Sequence, residues 1–279
     1  MGKYSDYLIV SDFDHTLTGP DGSVPESNKR AIEHFMAEGG IFSVASGRSL
    51  PLFRSKRNLY PGNGATVLFN GALCYDFRQE KTVLSYQLPE TFRTYVQTVR
   101  QRCPQMNIEL QRIRDHVVLS GEQSRLDMCR ELGVTLNFTP CQQIHEIPHM
   151  IVMIAPGFVR PDDPARSIDA CGEKDYNDLT ELEQWTRTQS GYDAIRSTGQ
   201  LLEIVPAGRS KGVAARELAN LYGGRELICV GDAKNDESML LEADRGYLTA
   251  DGDQRLHTGK IQLCAACGEG AIASVINML

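Results

Sequence analysis

Near its start the chain sets short apolar runs between helical stretches, and each run stops at polar residues. Residues 7–10 (Tyr-Leu-Ile-Val) are apolar and β-rich, as in a strand buried on both faces of a parallel sheet. A Gly/Pro-rich loop at 18–25 leads into 26–38, where Ile32, Phe35 and Met36 fall at helical spacing and Gly39-Gly40 ends the element. Residues 41–45 predict a second strand, stopping at Ser46-Gly47-Arg48. After a further helix, 66–69 predict a third, ending at Asn70-Gly71-Ala72. Strands separated by helices of this length imply right-handed βαβ crossovers and a parallel sheet.

The middle of the chain changes character. From about residue 80 to 205 strands and helices mix with hairpin-like turns, and 192–197 and 201–205 flank the turn Thr198-Gly199-Gln200 as an antiparallel pair. The last third returns to the first pattern, with a helix over 211–221, a buried strand over 227–230 ending at Gly231-Asp232, and a helix from 237 to 242. The expected fold is therefore α/β, a Rossmann-like parallel-sheet core split in sequence, with an α/β domain inserted between its parts. The expected boundaries are core 1–80, insertion 81–205 and core 206–279.

Composition narrows the function classes. The 279 residues carry a net charge of −7, which leaves no footprint for nucleic acid or an anionic membrane. No apolar run approaches the roughly 18 residues of a membrane span. The charged N-terminal stretch MGKYSDYLIV does not read as a signal peptide, and the eight cysteines are scattered, so reduced thiols in a cytoplasmic protein are expected.

Candidate chemistry gathers where strands end. In Asp12-Phe13-Asp14-His15-Thr16, residues 12 and 14 of an extended chain would point the same way. Two such carboxylates repel unless a cation, a shared proton or a division of labour separates them, and the bland alternative is a solvated turn. In open parallel sheets ligands bind beyond the carboxyl ends of strands. Ser46-Gly47 and Gly231-Asp232-Ala233-Lys234-Asn235-Asp236 are expected at that same edge, with Lys211 opening a helix in the same half. Several carboxylates suit Mg²⁺, while a serine, glycine N–H groups and a lysine suit phosphate oxygens. The set asks for metal-assisted phosphoryl transfer.

These residues, in this order, resemble the four motifs of the haloacid-dehalogenase-like (HAD) phosphatases. Phe69-Asn70-Gly71-Ala72, the run Leu202 to Gly212 and Glu269-Gly270-Ala271 resemble the Cof-type branch, subclass IIB. The resemblance implies that Asp12 is the nucleophile, forming an aspartyl-phosphate, and that Asp14 is the general acid and then the base for water. It also implies Mg²⁺ between Asp12, the backbone carbonyl of Asp14 and Asp232, with Asp236 in support. Ser46, Gly47 and Lys211 would hold the phosphoryl group, and Asn235 would add a hydrogen bond or steady the loop. Asn70 and Gly71 are candidate substrate contacts near the hinge of the inserted cap. Thr16 is a weaker one, better suited to fixing the turn after Asp14. Arg48 reads equally as an anion contact or a surface arginine. The expected activity is Mg²⁺-dependent hydrolysis of small phosphomonoesters, sugar phosphates foremost. A phosphomutase and a non-catalytic phosphate sensor are the alternatives. Where the family carries a glycine/asparagine-alanine turn, this chain has Leu248-Thr249-Ala250-Asp251-Gly252-Asp253. Oligomeric state is not encoded in any of these features.

Other patterns compete and fail. His145-Glu146-Ile147-Pro148-His149 matches a zinc-protease motif that works only on a continuous helix, which Pro148 disrupts. Cys264-Ala265-Ala266-Cys267 lacks the second pair of a zinc ribbon. Gly62-Asn63-Gly64 lacks the third glycine of a dinucleotide fingerprint. Arg112, Arg114 and His116 form a small basic cluster, either a solvated face or a contact for an acidic substrate tail.

Overall fold

The computed structural model describes residues 2–160 and 171–279. In chain order it begins with β1 (Tyr7–Asp12), α1 (Glu26–Ala37), β2 (Ile41–Ala45), α2 (Leu50–Arg54), β3 (Thr66–Leu68), β4 (Leu73–Asp76) and β5 (Lys81–Ser85). There follow α3 (Phe92–Arg102), β6 (Asn107–Gln111), β7 (His116–Ser120), α4 (Gln123–Glu131), β8 (Leu136–Asn137), β9 (Met150–Ile154), α5 (Glu173–Arg187), β10 (Tyr192–Thr198) and β11 (Leu201–Pro206). The chain closes with α6 (Lys211–Leu221), β12 (Glu226–Gly231), α7 (Glu237–Glu242), β13 (Arg245–Thr249), β14 (Ile261–Cys264) and α8 (Ala271–Asn277).

Two compact units result. The first comprises Met1–Gly47, Lys56–Ser85 and Arg209–Leu279; the second comprises Arg48–Ser55 and Tyr86–Gly208. Among the described residues the first unit holds one sheet in the order β14-β13-β12-β1-β2-β3-β4-β5. Its strands from β14 to β3 run parallel, and β4 and β5 form an antiparallel edge. Strands β1 and β12 are buried almost throughout, which is why they read as continuous apolar runs rather than alternating ones. One face of the sheet packs against α6, where Ala214, Ala215, Leu218 and Ala219 are fully buried with Leu8, Val10, Leu227 and Cys229. The small alanines let this helix lie close to the strands.

The strand order matters for function. From β1 the chain steps outward to β2 and β3, and after the insertion it returns to β12 on the other side of β1. A crevice at such a switch point is where α/β sheets place ligands.

The second unit is built on a sheet ordered β10-β11-β9-β6-β7-β8, antiparallel except for the β7–β8 pair. Its core gathers Phe92, Val96 and Val99 of α3, Leu179 and Leu182 of α5, and Ile108, Leu110, Ile151 and Met153 of the strands. This is the expected fold class, a parallel-sheet core with an inserted α/β domain.

Candidate active site

Three neighbouring strands end level with one another. Asp12 pairs with Ala45 across β1 and β2, and Ser11 pairs with Val230 across β1 and β12. The next residues along β2 and β12 are Ser46 and then Gly231-Asp232, so register alone delivers three of the sequence motifs to one sheet edge. Strand β1 stops at Asp12, and the chain turns through Phe13–Leu17 with His15 left-handed at φ 59°. Asp14 therefore lies past the strand end, half-buried, not on a continuing extended strand as the alternation argument supposed. The physical reason is the turn itself, closed by the Thr18 N–H on the Phe13 carbonyl at 3.0 Å.

Lys211, the first residue of α6, is 1 % exposed and supplies the cation. Its Nζ lies 2.5 Å from Asp12 Oδ1 and 2.7 Å from Asp236 Oδ1. The other Asp236 oxygen accepts the backbone N–H groups of Asp232 and Ala233 at 3.1 and 3.2 Å. Asp236 thus anchors the lysine with one oxygen and closes the loop carrying Asp232 with the other. Gly231 makes this approach feasible, because a Cβ there would lie 2.6 Å from the Asp236 Cβ. Thr16 is fully buried and donates its hydroxyl to Asp232 Oδ1 at 2.6 Å. Asn235 is half-buried in the same loop.

The electrostatics are unbalanced. Carboxylate oxygens of Asp12, Asp232 and Asp236 all lie within 4.8 Å of one another. Three carboxylates against one ammonium leave two negative charges uncompensated. Burial, then Asp236, pushes the Asp12 carboxyl well above its ordinary range; Lys211 opposes this, while Asp232 and Asp14 add to it. Burial and Asp236 push Asp232 up to about 6, against the Thr16 hydrogen bond. Burial alone would lower the Lys211 ammonium, but Asp12 and Asp236 outweigh it and keep the lysine charged. A divalent cation among hard oxygen donors would remove the imbalance, so the donor set fits Mg²⁺.

Ser46 is buried and Gly47 half-buried at the end of β2. Asn70 donates its backbone N–H to the Ser46 carbonyl at 3.3 Å, and a Cβ on Gly47 would lie 3.0 Å from Asn70 Oδ1. Phe69, Asn70 and Gly71 are left-handed in succession, with φ of 50°, 51° and 98°. For Phe69 this conformation costs roughly 1–2 kcal/mol, whereas asparagine and glycine adopt it readily. Arg48 belongs to the second unit with the rest of Arg48–Ser55, while Ser46 and Gly47 belong to the first.

The divergent loop after β13 contributes through its backbone, which residue-type reasoning did not reveal. Asp253 donates its N–H to the Asp232 carbonyl at 2.7 Å, and a Cβ on Gly252 would lie 2.7 Å from that carbonyl oxygen. Asp251 accepts the Cys267 N–H at 3.0 Å and its thiol at 3.1 Å. The sequence signal was Gly252 within the segment 248–253 that departs from the family's turn.

The competing motifs resolve as structure. Residues 145–149 form no helix, and β9 begins at Met150. All eight cysteines are free, and burial pushes the Cys264 and Cys267 thiols up to about 12. Arg112 pairs with Asp115, Arg114 with Glu146, and His116 is buried. His116 belongs to a second cluster, in which its Nε2 lies 2.7 Å from Ser49 Oγ while Arg125 grips Glu109 at 2.8 and 2.9 Å.

Comparison with known proteins places this geometry in a family. Residues 9–276 match the family model described as haloacid dehalogenase-like hydrolase. The chain is 22 % identical over 286 residues to a 5-amino-6-(5-phospho-D-ribitylamino)uracil phosphatase of Bacillus subtilis, covering 97 % of each chain. A haloacid dehalogenase-like hydrolase from Bacteroides thetaiotaomicron is similar in structure with a TM-score of 0.77 at 19 % identity, covering 99 % of each chain. The HAD subclass IIB sugar phosphatase BT4131 is similar with a TM-score of 0.75 at 16 % identity, covering 97 % of this chain and 98 % of that one. No described helix is long and apolar enough to cross a membrane. With the sheet edge, the acidic cluster and the buried lysine, the match over nearly its full length means that the chain belongs to the haloacid dehalogenase-like hydrolase family.

Proposed function

We propose that the protein is a Mg²⁺-dependent phosphatase that hydrolyses small phosphomonoesters, sugar phosphates foremost, through an aspartyl-phosphate on Asp12. The observation that carries this reading is the cluster of Asp12, Asp232 and Asp236 around the buried Lys211, with two negative charges to spare at a sheet switch point. Asp12 and Asp232, with the Asp14 backbone carbonyl and with Asp236 behind them, would hold Mg²⁺, which supplies charge neutralisation for the phosphoryl oxygens.

The protein's own residues carry the remaining steps. Lys211 opposes protonation of Asp12 and, with the charge a bound cation would add, would leave its carboxylate free to attack phosphorus as the ester oxygen leaves. Asp14, outside that cluster and half-buried, gives its proton to that leaving oxygen and then takes one from the water that hydrolyses the acyl phosphate. Ser46, the Gly47 N–H and Lys211 hold the transferring oxygens, where charge spreads in the transition state. Thr16 orients Asp232 through its hydroxyl. Substrate choice is assigned to the inserted residues, which stand in sequence where this branch carries its cap.

Phosphate release from a panel of sugar phosphates, nucleotides and a ribityl phosphate ester, with Mg²⁺ and with EDTA, tests the reading. The ribityl ester enters because the Bacillus subtilis relative is named for such a substrate. Metal-dependent release is expected. Intramolecular phosphate transfer without net release would instead indicate a mutase, and neither reaction would indicate a sensor.

A further inference from the structure

We infer that Arg209 is a positioning residue for phosphoryl transfer, holding the strained Phe69-Asn70-Gly71 turn against the start of the lysine-bearing helix. The inference rests on the phosphatase reading above. Arg209 lies two residues before Lys211 and is 8 % exposed. Its Nε and Nη2 both donate to the Gly71 carbonyl at 3.2 Å. Its Nη1 and Nη2 also grip the two carboxylate oxygens of Glu217 on α6, at 2.9 and 2.6 Å. A planar guanidinium can serve a carbonyl and a carboxylate together in one fixed geometry, whereas a lysine ammonium cannot.

What this clamp holds lies between the two groups assigned to phosphate. On one side, Asn70 reaches the Ser46 carbonyl and packs on Gly47. On the other, Gly71 sits so close to the Ser210 carbonyl that a Cβ would collide with it, one residue before Lys211. Phe69 is held left-handed against its preference, next to an asparagine and a glycine that tolerate it, so the turn gains from an external tie. Arg209, oriented by Glu217, is such a tie. It fixes the separation between the Ser46-Gly47 amides and the Lys211 ammonium. Misplacing such groups by an ångström can cost about a hundredfold in rate.

The test compares Arg209→Lys and Glu217→Gln with the wild-type enzyme, well below their melting temperatures. It reads kcat and KM separately, together with inhibition by orthovanadate relative to inorganic phosphate. Vanadate adopts the five-coordinate geometry of the transferring group, so its preference over phosphate reports how well the oxygens' partners are placed. Arg209→Lys should lower kcat about tenfold or more, change KM little, and reduce the vanadate preference by a similar factor. Glu217→Gln should produce the same pattern more weakly, and it carries the test if Arg209→Lys does not fold. A purely structural role would lower Tm and leave kcat and the vanadate preference within about twofold, which would overturn the inference alone. A wild-type protein inert on every ester would overturn the phosphatase reading and this inference with it.

Discussion

Among the described residues each unit holds a cluster of charge, and the carboxyls of the two clusters move in opposite directions. In the inserted unit Glu109 is fully buried, and Arg125 meets both its oxygens. Burial alone would raise that carboxyl, but Arg125, by charge and hydrogen bonds, and then His116 hold it well below the usual range. In the core Asp12 and Asp236 are buried and Asp232 is half-buried, yet Asp12 and Asp232 are pushed up, because three acids share one lysine. Burial is common to both, so partner count decides the sign. A balanced buried pair is a finished piece of structure; an unbalanced one is suited to receive a cation and an anionic substrate.

The difference can be broken most sharply at Asp12. Asp12→Asn should remove turnover by roughly 10⁴-fold or more while the protein stays folded, since it relieves crowding among acids. Steady-state kinetics with a thermal melt checks both halves. Glu109→Gln should do the reverse. It leaves the Arg125 guanidinium buried without its charge partner, costing about 3–5 kcal/mol in denaturant unfolding, with kcat of the folded fraction little changed.

Metal sharpens the contrast further. Adding Mg²⁺ should raise stability by about 2.7 kcal/mol at a hundredfold excess over its Kd, and EDTA should abolish the gain. Asp232→Asn should lose most of this response and Glu109→Gln none of it. Proton competition follows from the Asp232 carboxyl, raised to about 6 against an ordinary value of 3.8. The Mg²⁺-induced shift in Tm should shrink as pH falls through about 6. In metal-free protein the same raised group favours folding below the unfolded value and loses that contribution as pH rises through about 6, a difference measurable between wild type and Asp232→Asn. Thr16→Val should have the smallest effect, about tenfold in kcat/KM, through a less firmly oriented Asp232.

Much of this arrangement was legible because it is written in side-chain type. The helix over 211–221 and the strand over 41–45 fall where periodicity put them, since nothing in their surroundings opposes local preference. Asp12, Ser46 and Asp232 could be grouped from sequence because parallel strands in register deliver their ends to one edge. The rest is carried by backbone. Strand β1 gives way at Asp12 to a turn with a left-handed His15, which alternation cannot foresee. The grip of Arg209 on the Gly71 carbonyl spans 138 positions, and Asp253 holds Asp232 through main-chain atoms common to every residue. Such contacts leave almost no mark in composition beyond an occasional glycine, such as Gly71 or Gly252, where a Cβ would not fit.

The most direct test of the central claim, that the unbalanced cluster is a phosphoryl-transfer site with Asp12 as nucleophile, is rapid acid quenching of the enzyme during turnover with Mg²⁺, followed by peptide mass analysis. A phosphoryl adduct confined to the peptide containing Asp12, absent without Mg²⁺ and absent in Asp12→Asn, is the expected result. An adduct on any other residue, or undiminished turnover by Asp12→Asn, would contradict it.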